Sequence, residues 1–139
     1  MEKILLDSHV FLDYFLKSEK EKMAGEIITK IINGKLSGFV STIAIAEVKY
    51  KMLKLLGHER AENSIFLIKN SPNLKIIDID HNIAEMAADI RYKYYKKNER
   101  ELSYADAIHI STALITGCDL IITGDSDFKN IQEIKTEIY

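Results

Sequence analysis

Leu102-Ser103-Tyr104-Ala105-Asp106-Ala107-Ile108-His109-Ile110-Ser111-Thr112-Ala113-Leu114 reads as a helix that carries its own start signal. Ser103 is placed to cap it, and Asp106 stands three residues later in a capping-box relation. Ala107, Ile110, Ala113 and Leu114 follow at helical spacing, which marks a mostly buried helix. A carboxylate in the first turn of such a helix either completes the cap or does chemistry. Other acids occupy comparable points. Asp7 ends a short apolar run, Glu47 lies on an apolar helix, and Asp125 and Asp127 follow a second apolar run. Buried carboxylates are costly unless paired. Several in one place raise one another's pKa unless a cation holds them. The pattern therefore points to a metal site.

Working outward, Lys3 to Asp7 reads as a short strand, apolar enough for a parallel sheet covered on both faces. Ser8 is read as the cap of a helix with Val10, Phe11, Tyr14 and Phe15 on its apolar stripe. A charged break, Glu19 to Lys22, precedes a helix from Met23 to Ile32 that stops at Asn33-Gly34. Ser37 to Ser41 is a second strand, and Ser41 or Thr42 caps a helix over Ile43 to Leu56, ended by Gly57. A further helix covers Arg60 to Lys69. Asn70-Ser71-Pro72-Asn73 is the clearest turn. Leu74 to Ile79 is a third strand, Asn82 to Lys96 a helix, and Asp119 to Thr123 a fourth strand. The tail, Ile131 to Ile138, supplies a short fifth. Strands alternating with helices predict an α/β fold, one three-layer domain over residues 1–139 with a mostly parallel sheet of four or five strands. Sites in such sheets form beyond the carboxyl ends of the strands, where strand order reverses. All the acids named above can reach that edge.

Composition sets the outer bounds. The chain has 139 residues, of which 47% are hydrophobic, enough to fill the core of one ordinary domain. Its apolar runs are far too short to span a bilayer. Met1-Glu2-Lys3 runs straight into a strand, so no signal peptide is expected. The single cysteine, Cys118, excludes an internal disulfide framework and a cysteine-based zinc site. These features together point to the cytoplasm. The formal charge is −2. With the five acids neutralised by metal, the remaining surface turns mildly basic and permits contact with nucleic acid.

Four segments, in order and spacing, resemble the PIN domain family, in the small form found in VapC toxins. Ile4 to Asp13 resembles the opening strand with the first acid, and Ser41 to Glu47 the segment with the second. Tyr104 to His109 resembles the third acid's segment, and Leu120 to Phe128 the closing strand with the fourth. Ser8 and His9 depart from the residues common in the family. Asp125 and Asp127 both fit the fourth acid, with Asp125 nearer the strand end.

The resemblance implies a metal-dependent endoribonuclease using magnesium or manganese, ions that hard oxygen ligands suit. Asp7, Glu47, Asp106 and Asp125 would be its catalytic acids. Asp7 and Asp106 would be direct metal ligands, with Asp125 and Glu47 completing the cluster. Thr123 would orient a neighbouring carboxylate, with Ser8 and Asp127 in support, and the product would carry a 5′-phosphate. The resemblance further implies the toxin of a type II toxin–antitoxin pair, a homodimer and a protein antitoxin. Phe11, Phe15, Ile43, Val48 and Phe66 could line the antitoxin groove or the dimer face, or be core. A housekeeping PIN nuclease and a non-catalytic RNA-binding module stay open.

Simpler readings stand beside these. Glu47 could pair with Lys51 on the same helix face. Asp7 and Asp106 could be caps only, and Asp127 a turn residue. Asp13 reads as a solvated helix residue, and His9 and His109 as packed or hydrogen-bonded side chains. Arg91 to Arg100 is basic with interleaved tyrosines. Lys93, Lys96, Lys97 and Arg100 could contact RNA there, or complement a helix C-terminus.

Overall fold

Five strands and six helices alternate along the chain in a computed structural model that describes residues 1–139. In chain order they are β1 (Lys3–Leu6), α1 (Ser8–Phe15), α2 (Glu21–Ile32), β2 (Ser37–Ser41), α3 (Thr42–Leu56) and α4 (His58–Asn70). Then come β3 (Leu74–Ile77), α5 (His81–Tyr94), α6 (Tyr104–Ile115), β4 (Leu120–Thr123) and β5 (Lys135–Ile138). The strands form one sheet in the order β3-β2-β1-β4-β5, and every pairing is parallel. Successive crossovers step outward to β3 and then return to the far side of β1, so strand order reverses between β1 and β4. A crevice opens at such a point beyond the strands' carboxyl ends.

Both faces of the sheet are covered, as the unbroken apolar strands require. Ile4, Leu6, Val40, Leu120 and Ile122 pack against α1 to α4 through Val10, Phe11, Ile31, Val48 and Ile68. On the opposite face Leu5, Phe39 and Ile121 meet Ala87 and Ile90 of α5, and Ala107, Ile110 and Ala113 of α6. Alternate residues of one strand thus serve two cores, giving the expected three layers. No helix is long and apolar enough to cross a membrane.

Several local expectations shift. Asp7, not Ser8, caps α1: its carboxylate accepts the His9 N–H, and Ser8 is the first helical residue, buried beneath it. Ser41 caps α3 through the Ile43 N–H. Gly57, at φ +89, lets α3 turn directly into α4, which therefore starts at His58. α5 ends at Tyr94, and Lys96 and Arg100 close a tight turn through paired backbone bonds of 2.8 Å. β3 stops at Ile77 and β5 begins at Lys135. A 3₁₀ turn over Ser126–Phe128, absent from the sequence reading, follows β4.

Candidate active site

The α6 start signal forms as read. The Ser103 hydroxyl accepts from the Asp106 N–H at 3.0 Å, and the Asp106 carboxylate accepts from the Ser103 N–H at 3.1 Å. The cap fixes Asp106 at the crevice. After β4 the chain turns sharply, because Asp125 accepts from the Asp127 N–H at 2.8 Å and the Phe128 ring is fully buried below. Gly124 permits this path: a side chain there would lie 3.3 Å from the Asp13 carboxylate and 3.4 Å from the Tyr139 ring. The result is that Asp106, Asp125 and Asp127 each bring a carboxylate oxygen within 4.8 Å of the others. Three like charges at that separation repel, and their hard oxygens fit a divalent cation rather than a soft one.

Asp7 lies beside this triad but outside it. It is buried at the end of β1, where it accepts from the Thr123 hydroxyl, from the His9 N–H at 2.5 Å and, at 3.3 Å, pairs with His9 Nδ1. The same Thr123 oxygen accepts the Asp125 N–H at 3.0 Å, so one hydroxyl couples the β1 acid to the β4 loop. Glu47 is also outside the triad. It does not pair with Lys51; it accepts from buried His109 Nε2 at 2.9 Å, while His109 Nδ1 has no hydrogen-bond partner. Asp13, expected in solvent, is half-buried and held by the Ser18 hydroxyl at 2.8 Å and the Tyr139 hydroxyl at 2.6 Å.

The charges respond accordingly. Burial pushes the Asp106 carboxyl up, the Ser103 bonds draw it back, Asp125 raises it and His109 lowers it; the balance lies at about 6. Burial also raises Asp7, but its bond from His9, the neighbouring His109 and His9 rings and the Thr123 hydroxyl together hold it below the usual carboxylate range. Its bond to Asp7 holds His9 up at about 9, against burial, with further help from the charges of Asp7, Asp125 and Asp106.

Of the basic stretch, Lys93 pairs with Glu133 at 3.1 Å, and Tyr94 donates to the same carboxylate at 2.5 Å. Lys96 and Arg100 line an open hollow of about 360 Å³ with Lys93, and Lys97 is exposed. Phe11 and Val48 are core residues, Phe15 and Ile43 are half-buried, and Phe66 is 64% exposed. Replacing Thr123 by Val should leave the buried Asp7 Oδ2 with His9 Nδ1 as its one partner and free the Asp125 N–H. We expect a loss of about 1–3 kcal/mol in urea unfolding, restored by Thr123→Ser.

Residues 4–134 match the PIN domain family model. No curated protein matches the sequence. Among solved structures, VapBC2 of Rickettsia felis, bound to a promoter DNA fragment, superposes with a TM-score of 0.76 at 16% identity, covering 98% of each chain. VapC20 of Mycobacterium tuberculosis, described as a toxin that cleaves the sarcin–ricin loop, gives 0.75 at 18% identity, over 95% of this chain and 98% of that one. FitAcB of Neisseria gonorrhoeae gives 0.70 at 22% identity, over 96% and 95%. The all-parallel sheet with its acidic crevice is thus the PIN architecture, and this chain belongs to the PIN domain family.

Proposed function

We propose that this chain is a divalent-metal-dependent endoribonuclease and the toxin of a type II toxin–antitoxin pair. The observation that carries the reading is the convergence of Asp106, Asp125 and Asp127 at the switch point of a PIN fold. Neighbours of the same fold described as a toxin that cleaves the sarcin–ricin loop and as a toxin–antitoxin complex from Klebsiella pneumoniae support it.

In this reading Asp106, Asp125 and Asp127 would hold magnesium or manganese, with Asp7 beside them at the end of β1. Such an ion lowers the pKa of water and offsets charge on the phosphate oxygens. Thr123 keeps Asp7 and the Asp125 loop in register through its single hydroxyl. Glu47 acts through His109, fixing by its hydrogen bond the orientation of a buried ring on α6. Lys93, Lys96, Lys97 and Arg100 supply positive charge to the RNA backbone. Cleavage leaves a 5′-phosphate. The chain works in the cytoplasm as a homodimer. An apolar groove of about 100 Å³ between α1, α2 and α4, lined by Phe11, Phe15, Ile28, Ile32 and Leu67, receives the antitoxin.

End-labelled single-stranded and structured RNA, incubated with the purified chain and magnesium, manganese or EDTA, tests the proposal. Cutting should occur with either ion, vanish in EDTA, and be lost in Asp7→Asn and Asp106→Asn. Cutting that survives EDTA or both substitutions contradicts it, as does a folded, metal-supplied wild type that cuts no RNA.

A further inference from the structure

Arg91 near the end of α5 has an unusual setting. Its guanidinium carbon lies 4.4 Å from the ring centres of both Tyr95 and Tyr104. Its Nε donates to the Leu102 carbonyl at 3.2 Å, and no carboxylate pairs with it. The planar cation is therefore fixed in place without being neutralised. Of the two rings against it, Tyr104 is 61% and Tyr95 37% exposed. Arg91, Tyr92, Tyr95 and Tyr104 border an open hollow of about 390 Å³ with Ala88. Tyr104 is the first residue of α6 and Asp106 the third, so the aromatic surface and the acid cluster leave the same helical turn on different faces.

We infer that Tyr104, Arg91 and Tyr95 form a base-stacking subsite for single-stranded RNA, set around α6 from the acid cluster. The inference rests on the nuclease reading and adds to it where the substrate is gripped. The solvent-facing sides of the rings take any unstacked base face to face, the guanidinium holds the rings in place, and cations beside them take the phosphates. Five cations and one acid occupy residues 91–100, which suits a polyanion better than an apolar protein face. Lys96 and Arg100, across the tight turn, meet the adjoining phosphate. A base locked in a duplex cannot enter, so single strands and loops are preferred over helical RNA.

The test uses a single-stranded oligoribonucleotide carrying 2-aminopurine, titrated with the full chain in EDTA so that no cutting occurs, together with cleavage in manganese. Wild type should quench the probe and bind it more tightly than the same sequence in a duplex. Tyr104→Ala and, separately, Tyr95→Ala should bind roughly 5- to 100-fold more weakly and lose quenching, whereas Tyr104→Phe should behave as wild type. Tyr104→Ala should leave the dependence of binding on salt unchanged, whereas Lys96→Ala should reduce its slope by about 0.7. Circular dichroism checks that each variant is folded. Unchanged affinity and quenching in both alanine variants, with manganese-dependent cleavage intact, overturns the subsite and leaves the nuclease reading standing. A dimer that Tyr104→Ala splits, with RNA affinity per protomer unchanged, also overturns it and makes this face a contact between copies. A wild type that neither binds nor cuts RNA removes both.

Discussion

Asp106→Asn should abolish useful cleavage and at the same time stabilise the metal-free protein. The side chain keeps an oxygen to accept from the Ser103 N–H, so the cap of α6 survives. What disappears is a negative charge aimed at the cation site. The cation it would hold offsets charge developing on the phosphate; loss of one such stabilising contact typically costs on the order of 10²–10³ in rate, and a loss at least that large is expected in manganese. The stability gain follows from the pKa of about 6 against an ordinary value of 3.8. The folded wild type binds this proton more tightly than the unfolded chain does. Its stability therefore falls as pH rises from about 4 to about 6 and stays lower above that window. Asn lacks this penalty. In EDTA at pH 7.5 the variant should be more stable by up to about 3 kcal/mol, and at pH 4 the advantage should be gone. Urea unfolding at the two pH values measures it. A variant less stable than wild type at pH 7.5 would make the Asp106 charge a structural cap.

Phe128→Ala should have the largest effect on folding of any change near the site. This ring is fully buried among Leu102, Ile121 and Ile131, directly after the two loop acids. Its N–H donates to the Asp125 carbonyl at 3.3 Å, and its own carbonyl accepts from the Thr136 hydroxyl at 3.1 Å. Truncation removes the anchor that holds Asp125 and Asp127 against Asp106. The expected cost is about 3–5 kcal/mol, with a fall of roughly 10 °C or more in Tm. Manganese affinity should drop as well, measured well below the new Tm. Phe128→Leu should recover most of both. A loss under about 1 kcal/mol would mean that something other than this ring holds the turn.

These two residues also mark what local sequence could and could not convey. Ser103 and Asp106 are three apart, so their mutual bonds follow from helix geometry, and the α6 cap was legible. The apolar strands and the turn at Pro72 were legible for the same reason: each signal lies within a few residues. Asp127 reaches Asp106 only because a buried ring draws the chain into a 3₁₀ turn, and nothing within the Gly124-Asp125-Ser126-Asp127 run reports the depth of Phe128. Glu47 and His109 meet across 62 residues, and Asp13 and Tyr139 across 126. Those pairings are made by the order of strands in the sheet. Of the two caps open for α1 in the sequence, Ser8 and Asp7, the strand end favours Asp7, one residue earlier.

The most direct measurement is a manganese titration, by calorimetry or electron paramagnetic resonance, of wild type beside Asp106→Asn, Asp125→Asn and Asp127→Asn. If these three carboxylates hold the ion, wild type binds manganese and each substitution weakens binding by about tenfold or more, while all three together abolish it. Manganese bound equally well by the triple variant, or not bound at all by wild type, would contradict the assignment of this edge as a metal centre.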